Sequence, residues 1–247
     1  MGKQTALRLP NFKALTFDCY GTLIDWESGI LEVLRPWAAR HGLAPNDAEL
    51  LDAFAEAETA CQQATPQALY PDILRAVHAR IAARWGKPLP ADEAKLLAES
   101  VGSWPAFADT VPALERLQRW HRLVIVSNID RGSFARTQEK LGVLWDAVIT
   151  AEEVGAYKPD VRMFRRALEV VAQWDIRPDQ VLHVAQSLYH DHIPAKALGL
   201  KTVWVNRRRG SAGWGATPPP AENVAPDVVV ETLAELVKLE EQQRLGT

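Results

Sequence analysis

Short apolar runs recur along the chain, and each is followed by a turn and then by a segment with helical spacing. Uninterrupted apolar runs of this kind are typical of strands buried on both faces of a parallel sheet. We therefore predict six strands, at residues 14–17, 123–126, 147–149, 181–184, 202–205 and 227–230. Strands that alternate with helices indicate an α/β layer fold with right-handed crossovers.

One long interval departs from this alternation. Residues 28–108 contain no convincing strand and several alanine-rich helical stretches, divided by breakers at 42–47, 65–67 and 86–92. These breakers leave about four helices of ordinary length. We predict an all-α cap domain at 28–108, inserted after the first strand, and a Rossmann-like core formed by 1–27 and 109–247. The glycine- and proline-rich segment 210–226 is predicted to be a surface loop.

Composition and charge fit an ordinary globular protein. The 247 residues are 47% hydrophobic and 24% charged, with a net charge of -3. Mixed signs give no electrostatic footprint for nucleic acid or for an acidic membrane. The short basic run Arg207, Arg208 and Arg209 is interpreted as a solvated loop.

Cysteine usage and the amino terminus point to a reducing compartment. Cys19 and Cys61 lie far apart without a CxxC spacing, which suggests neither a disulfide framework nor a zinc site. The initial segment lacks the apolar core of a signal peptide, and no uncharged apolar stretch is long enough to span a membrane. We expect a cytoplasmic protein without a membrane partner.

Polar residues that directly follow the predicted strands are the candidates for chemistry, because ligands of open parallel sheets bind beyond the carboxyl ends of the strands. Asp18 follows the first strand, and Gly21 and Thr22 supply a tight turn after it. Ser127 and Asn128 follow the second strand, and both side chains donate hydrogen bonds.

Two further segments complete the set. Lys158 precedes Pro159, which favours an extended lysine at a helix entrance. The fourth segment ends a strand with Gln186 and Ser187 and places Asp191 five residues after Gln186. A second carboxylate is therefore expected near the crevice that holds Asp18.

The four segments FDCYGTLID, IVSN, AYKPD and HVAQSLYHD resemble, in order, the four motifs of the haloacid dehalogenase superfamily. The resemblance covers the whole core and implies a Rossmann-like sheet with a helical cap. Most members of that superfamily are magnesium-dependent phosphatases.

Two departures from the phosphatase pattern bear on the metal. Phosphatases of the superfamily carry a second aspartate two residues after the nucleophile, where this chain has Tyr20, and an acidic residue early in the fourth motif, where it has Gln186. Since Mg²⁺ prefers hard oxygen ligands, we expect no metal and no cofactor. His183, His190 and His192 are likewise not expected to bind metal. The pattern resembles the metal-independent L-2-haloacid dehalogenases.

That resemblance assigns roles to four residues. Asp18 is the expected nucleophile, and Lys158 is expected to lower the pKa of Asp18 so that it stays ionised without a divalent ion. Asp191 is expected to position and deprotonate the water that cleaves the ester. Lys158 and Ser187 are expected to hold the two carboxylates in place.

The same resemblance indicates which residues contact a small carboxylate substrate. Thr22, Ser127 and backbone amides near Tyr20 are expected to bind the substrate carboxylate, and Asn128 is expected to face the leaving group. The remaining residues predicted to contact substrate are Tyr20, Trp26, Gln186 and His190.

Departures on the leaving-group side keep alternatives open. The dehalogenases carry an arginine on the second cap helix to receive the halide, but the matching stretch AFAEAETAC has none. Leu188 and Phe164 stand where an asparagine and a tyrosine are expected. Besides a 2-haloacid dehalogenase, including one that acts on fluoroacetate, the sequence allows an azetidine-2-carboxylate-type ring-opening hydrolase. It also allows a magnesium phosphatase, or a catalytically silent relative that binds partners. The resemblance also allows a homodimer.

Overall fold

The computed structural model describes residues 7–220 and 223–246. The prediction that no signal peptide precedes the first strand falls partly on residues 1–6, outside the described residues. Residues 221 and 222 of the predicted loop and the last residue also lie outside them. Within the described ranges, no helix is long and apolar enough to cross a membrane.

A six-stranded parallel sheet forms the centre of the molecule, which confirms the predicted α/β fold. Its strands are β1 Ala14–Phe17, β2 Arg122–Ser127, β3 Ala147–Thr150, β4 Val181–Ala185, β5 Lys201–Val205 and β6 Val228–Val230. Their order across the sheet is β3-β2-β1-β4-β5-β6, with every neighbouring pair parallel. All four residues of β1 are buried, as expected for a central strand covered on both faces.

The strand order reverses direction at β1. Phe17 aligns with Ile125 of β2 on one side and with Val184 of β4 on the other. The carboxyl ends of these three strands therefore open onto one crevice, which is the place where doubly wound sheets bind ligands. The predicted candidates Asp18, Ser127 and Gln186 all lie at this edge.

Helices cover both faces of the sheet. Those that follow β1 are α1 Trp26–Arg40, α2 Asp47–Ala64, α3 Tyr70–Arg84, α4 Ala91–Ala94, α5 Leu96–Ser100, α6 Thr110–Leu117, α7 Arg131–Leu141, α8 Ala151–Val154, α9 Arg162–Ala172, α10 Ile193–Ala197 and α11 Leu233–Leu245. The segments with helical spacing that precede β4 and follow β6 form α9 and α11. The first five helices lie between β1 and β2 and form what we call the helical insertion.

The helical insertion has three long helices and a broken fourth. The expected fourth helix is divided into α4 and α5, because α4 buries no residue whereas α5 buries Leu97 and Ala98. Packing therefore holds only the second piece against the rest. Since α1 begins at Trp26, it starts within the segment assigned to the core, and the division at 28 and 108 stays a prediction.

The helix starts follow from local side chains. The Asp25 carboxylate accepts a hydrogen bond from the Ser28 backbone N–H at the beginning of α1. At α2, Asn46 and Glu49 form a capping box, each side chain accepting from the backbone N–H of the other. These caps fix where α1 leaves the end of β1, and so where the insertion stands over the sheet edge.

One tryptophan links the insertion to the loop that follows β1. Trp104 is 1% exposed, and its ring lies so close to Gly29 of α1 that a Cβ there would overlap it. The same ring meets Tyr20 edge-on, with centroids 5.6 Å apart. Gly29 is therefore required by this close approach, and the stack orders one wall above Asp18.

The structure of the basic run Arg207, Arg208 and Arg209 differs from the prediction of a solvated loop. The Arg207 guanidinium is buried and donates to the Thr22 carbonyl oxygen at 3.1 and 3.0 Å and to Asp109 at 2.8 Å. Arg208 pairs with Glu27 of α1, and only Arg209 stays exposed. The interpretation as a solvated loop was wrong because the carboxylates that bind these arginines lie far away in sequence.

Candidate active site

Lys158 lies between the two candidate carboxylates. Its Nζ donates to Asp18 Oδ1 at 2.8 Å, to Asp191 Oδ1 at 2.7 Å and to the Val126 carbonyl oxygen at 3.0 Å. The three side chains are 2, 8 and 0% exposed for Lys158, Asp18 and Asp191. All three ammonium hydrogens thus have acceptors, and the cation is fixed in a buried position.

Asp18 directly follows β1 and is held at its other oxygen. Oδ2 accepts from the Thr22 hydroxyl at 2.6 Å, and that hydroxyl accepts from the Gln186 backbone N–H at 2.9 Å. Thr22 is fully buried and does not line the cavity above Asp18. Thr22 and Gln186 were predicted to bind substrate. In the structure, the Thr22 hydroxyl instead holds the Asp18 carboxylate, and the Gln186 backbone N–H holds that hydroxyl in place.

Asp191 is positioned by a π-helical turn at Leu188–His192, directly after β4. Its Oδ1 also accepts a hydrogen bond from His183 Nε2 at 3.0 Å, and His183 Nδ1 pairs with the Thr16 hydroxyl at 2.9 Å. Phe164 packs edge-on against the same histidine. His183 lies within the predicted strand at 181–184, and no local pattern indicates its contact with Asp191.

Ser187 does not hold the carboxylates as predicted. Its Oγ accepts from the His190 backbone N–H at 2.9 Å and pairs with the His190 ring at 3.2 Å. The hydroxyl therefore caps the turn that carries Asp191. A cap of this kind acts on the backbone conformation and reaches Asp191 only through it.

The pKa values of the Asp18 and Asp191 carboxyl groups shift in opposite directions. The Lys158 ammonium and His183 hold the pKa of Asp191 well below its usual range despite burial. Burial raises the pKa of Asp18, and the Lys158 ammonium opposes that rise without cancelling it. The Lys158 ammonium thus acts on the pKa of Asp18 in the expected direction, but burial outweighs it and the net shift is upward. The two buried carboxylates keep the pKa of Lys158 above its usual value, so the ammonium persists.

The Asn128 side chain is hydrogen-bonded to the backbone of Lys158. Its Oδ1 accepts from the Lys158 N–H at 2.6 Å, and its Nδ2 donates to the Lys158 carbonyl oxygen at 3.2 Å. An amide with both ends engaged positions the lysine and has little left for a leaving group. The prediction that Asn128 faces the departing group is not supported by this geometry.

A cavity of about 390 Å³, including its opening to solvent, lies above Asp18 between the sheet edge and the helical insertion. Residues of the sheet edge line its floor, and residues of the insertion and of the loop after β5 line its roof. The lining residues are Asp18, Tyr20, Trp26, Glu58, Gln62, Tyr70, Ser127, Asn128, Lys158, Ser187, His190, Asp191 and Thr217. The enclosed space itself is only about 30 Å³, room for about one water molecule, so the cavity is narrow.

Four of these lining residues were missed by sequence reasoning: Glu58, Gln62, Tyr70 and Thr217. Glu58 and Gln62 are one turn apart on α2, and the Glu58 carboxyl accepts from the Tyr70 hydroxyl at 2.7 Å. Thr217 is buried and donates to Gln186 Oε1 at 3.1 Å. The spacing of Glu58 and Gln62 was a weak signal, and nothing in the sequence showed that this face of α2 overlies Asp18.

The predicted substrate contacts Tyr20, Trp26, Ser127 and His190 do lie around the cavity. The Ser127 hydroxyl is buried and has no hydrogen-bond partner in the described part of the chain, which leaves it free for a ligand. The Tyr20 hydroxyl pairs with Thr137 at 2.7 Å, so Tyr20 offers its ring. Burial lowers the pKa of His190 to about 4, and the imidazole is neutral at pH 7.

The residues at the site do not fit a divalent metal. No group of three or more histidine, cysteine or acidic side chains that could hold an ion occurs in residues 7–220 and 223–246. The Lys158 ammonium lies where it contacts both carboxylates, and the Gln186 amide oxygen is engaged by Thr217. We therefore derive no step through a metal.

Solved structures share the fold at low sequence identity. A defluorinating L-2-haloacid dehalogenase matches with a TM-score of 0.76 and 21% identity, covering 96% of this chain and 100% of that chain. The L-2-haloacid dehalogenase of Xanthobacter autotrophicus with chloropropionic acid covalently bound matches with a TM-score of 0.73 and 20% identity, covering 93% and 98%. A magnesium-bound hydrolase, YfnB from Bacillus subtilis, reaches 0.72 at 18% identity, covering 93% and 99%.

Curated relatives match over shorter stretches. The haloacid dehalogenase-like hydrolase domain-containing protein 3 of Xenopus laevis is 26% identical over 122 residues, or 47% of this chain and 44% of that protein. The rhythmically expressed gene 2 protein of Drosophila melanogaster is 30% identical over 88 residues, or 35% and 34%. The matches thus span less than half of these relatives. The model of the haloacid dehalogenase-like hydrolase family matches residues 12–199, and the chain belongs to that family of hydrolases.

Proposed function

We propose that this chain is a metal-independent hydrolase that displaces a leaving group from C2 of a small carboxylic acid through an ester on Asp18. We take 2-haloacids as the first substrate class. The observation that carries the proposal is the Lys158 ammonium hydrogen-bonded to both Asp18 and Asp191. A fixed ammonium in this position supplies the charge that a divalent ion supplies in phosphatases of the superfamily.

In the first step, an oxygen of Asp18 attacks C2 and the leaving group departs with the bonding electrons. The Ser127 hydroxyl, which lacks a partner in the described residues, and backbone amides near Tyr20 bind the substrate carboxylate. Lys158 and Thr22 hold the attacking carboxylate from its two oxygens. Attack from one fixed side inverts the configuration at C2.

In the second step, water cleaves the ester at the Asp18 carbonyl carbon. Asp191 orients this water, and its Oδ2 has no hydrogen-bond partner in the described structure. Because its pKa is low, Asp191 is a weak base, and its contribution lies in positioning and in holding Lys158. The alkoxide takes one proton as it leaves as the 2-hydroxy acid, and Asp18 loses the other proton to solvent and is restored as a carboxylate.

The proposal is tested by halide release in the presence of excess EDTA. We expect release from 2-chloropropionate or a haloacetate, and a mass increase on Asp18 when substrate is mixed with enzyme and quenched. Asp18→Asn should remove both signals, because the amide is a poor nucleophile. In H₂¹⁸O, Asp18 should gain labelled oxygen after several turnovers.

Two outcomes contradict the proposal. Failure to form an Asp18 ester with any C2-substituted acid rejects it in favour of a silent relative. Phosphate release that requires Mg²⁺ and survives in the absence of any such ester rejects it in favour of a phosphatase. The buried Asp18, Lys158 and Asp191 set argues against the first outcome, and Tyr20 and Gln186 argue against the second.

A further inference from the structure

Glu58 is an acidic side chain on the roof of the cavity, and the reaction as proposed above gives it no part. It is 3% exposed and lies on α2. Its Oε1 accepts a hydrogen bond from the Tyr70 hydroxyl at 2.7 Å, whereas its Oε2 has no hydrogen-bond partner among the described residues. No lysine, arginine or histidine of residues 7–220 and 223–246 forms an ion pair with it. A buried carboxyl without a cation favours the protonated, neutral form.

The groups around Glu58 do not supply that cation. Lys158 lines the same cavity, but its three ammonium hydrogens are already donated elsewhere. Burial lowers the pKa of His190 to about 4, so this imidazole is neutral at pH 7. The other titratable groups are three phenols and a thiol, each with a raised pKa, and two carboxyls: Tyr20, Tyr70, Tyr157, Cys61, Asp18 and Asp191. Burial accordingly raises the pKa of Glu58 to about 7, although the Tyr70 hydrogen bond opposes the rise.

The charge of the cavity favours the same protonated form when an acid binds. Asp18 and Asp191 share the single ammonium of Lys158, and a 2-haloacid brings one more negative charge. An ionised Glu58 would face that acid with a further carboxylate, which is unfavourable in a space shielded from water. The protonated carboxyl adds no charge, and it presents an O–H donor at the oxygen that Tyr70 leaves unused.

The direction of the proposed displacement brings the leaving group to this donor. Asp18 lies on the floor of the cavity at the end of β1, and Glu58 lies on its roof on α2. Displacement at a carbon atom proceeds in line, with the attacking oxygen and the leaving group on opposite sides. Attack from the floor therefore directs the breaking bond toward the roof. Because the cavity is narrow, the departing atom meets the side chains there.

We propose that Glu58, as a neutral carboxylic acid, donates a hydrogen bond to the departing halide and is a catalytic residue of the first step. The inference rests on the proposed displacement at C2 by Asp18. An Asp18 oxygen forms the bond to C2 while the carbon–halogen bond breaks, and the electrons of that bond leave with the halide. The Glu58 proton stays on the carboxyl and stabilises the developing anion. Glu58 is therefore unchanged after each turnover.

Proton uptake on binding tests the protonation state of Glu58 apart from turnover. In Asp18→Asn protein, which lacks the other cavity carboxyl of raised pKa, 2-chloropropionate is titrated by calorimetry in buffers of different ionisation enthalpy. We expect uptake of about 0.9 proton per acid bound at pH 8 and about 0.1 at pH 6, because only protonated Glu58 receives the acid. Adding Glu58→Gln should abolish the uptake. Glu56→Gln on the same helix, at a side chain 69% exposed, is the matched control and should keep it.

The pH profile of turnover gives the second measurement. In the wild type, kcat/KM for chloroacetate should fall about tenfold for each pH unit above about 7, because deprotonation of Glu58 removes the form that receives the acid. Glu58→Gln should remove this alkaline limb, since the glutamine amide keeps an N–H donor and does not titrate. Glu56→Gln should retain the limb.

The leaving group distinguishes a hydrogen bond to the halide from a structural role. Chloride accepts hydrogen bonds more strongly than bromide does. In Glu58→Leu, the rate of Asp18 ester formation from chloroacetate, relative to that from bromoacetate, should therefore fall by about threefold or more. Glu58→Gln should keep most of the wild-type ratio. A loss of folded enzyme lowers both rates together and leaves their ratio unchanged.

The inference is overturned if binding takes up no proton, if Glu58→Gln keeps the uptake or the alkaline limb, or if Glu58→Leu leaves the ratio of the two rates unchanged. An Asp18 ester formed from chloroacetate alongside any of these results leaves the proposed function standing. Absence of an Asp18 ester with every acid rejects the proposed function as well. The two failures are therefore distinguishable.

Discussion

Lys158 donates its three ammonium hydrogens to two carboxylates and one carbonyl oxygen, so a single residue balances charge at both buried carboxylates. The two carboxylates respond differently because their other neighbours differ. Besides Lys158, Asp191 has His183 beside it, whereas among the described residues Asp18 has the Thr22 hydroxyl. In the proposed reaction, the carboxyl with the raised pKa, that of Asp18, is the better nucleophile, since the one with the depressed pKa holds its electrons more tightly.

Lys158→Met should destabilise the protein and move its pH profile. Loss of the ammonium leaves two buried carboxylates unpaired, which costs about 3–5 kcal/mol of unfolding free energy. The pKa of Asp18 then rises further, and because Asp18 must be ionised to attack, the acid limb of kcat/KM shifts to higher pH. Urea denaturation and a pH series measure both effects. Lys95→Met, at a half-exposed lysine, is the control, and equal behaviour of the two variants contradicts the prediction.

Glu58→Gln should stabilise the protein at alkaline pH. In the fold the pKa of Glu58 is raised from 4.5 to about 7, so the folded state binds the proton more tightly than the unfolded chain does. The wild type therefore loses stability as pH rises from 4.5 to 7, by up to about 3 kcal/mol. The Glu58→Gln variant does not lose this unfolding free energy, because glutamine does not titrate. Unfolding free energies should agree near pH 4.5 and diverge at pH 8.5, and a constant difference across that range would count against the buried carboxyl.

At the scale of secondary-structure elements, two irregular segments place side chains that the strands and helices alone do not. The π-helical turn at Leu188–His192 carries Asp191, and π-turns of this kind are frequent at functional sites. The loop after β5 packs Thr217 against Gln186 and places Arg207 on the Thr22 carbonyl oxygen. Gly21, with a φ of +93°, allows the turn between Asp18 and Thr22.

Arg207→Met should loosen this loop and lower activity without changing the ester formed. Its guanidinium holds the Thr22 carbonyl and Asp109, and the loss leaves a part-buried carboxylate without its cation, at a cost of about 2–4 kcal/mol. Thermal unfolding and kcat measure the effect. Arg209→Met, at an exposed arginine of the same run, serves as control and should change neither. Equal changes in melting temperature and kcat for the two variants would contradict the role given to the buried Arg207 contacts.

At the scale of the whole molecule, the cavity is shared between the sheet edge and the helical insertion. Asp18, Ser127 and Lys158 come from one side, and Glu58 and Tyr70 come from the other. Buried apolar side chains continue without interruption from the strands into the insertion. A ligand that fills the cavity therefore contacts both parts and adds to the contacts that hold them together.

Ligand binding should raise the melting temperature of inert Asp18→Asn protein. A C2-substituted acid at 100 times its Kd stabilises the folded state by about 2.7 kcal/mol, or roughly 5–10 °C for a chain of this size. Differential scanning calorimetry over a concentration series measures the shift. Sodium chloride at equal ionic strength is the control, and a shift that does not saturate would indicate a salt effect.

The parallel sheet, the positions of its six strands along the chain and the polar residues at their carboxyl ends are predictable from the amino-acid order alone. These follow from local signals: uninterrupted apolar runs, turn residues after them, and the polar residue next in line, as at Asp18 and Ser127. Lys158 and Asp191 were found in the same way. Belonging to the family follows from those four segments together.

Which side chains meet follows from the three-dimensional packing of the elements. Whether Arg207 is solvated depends on Asp109, and whether Thr22 and Asn128 bind substrate depends on what else they touch. The sign of the pKa shift at Asp18 depends on burial, which a lysine counted from sequence does not reveal. Glu58 reaches the cavity only because α2 turns that face toward the end of β1, where Asp18 lines the same space. Contacts between residues distant in sequence leave no local pattern. Such contacts form the side of the cavity that α2 lines.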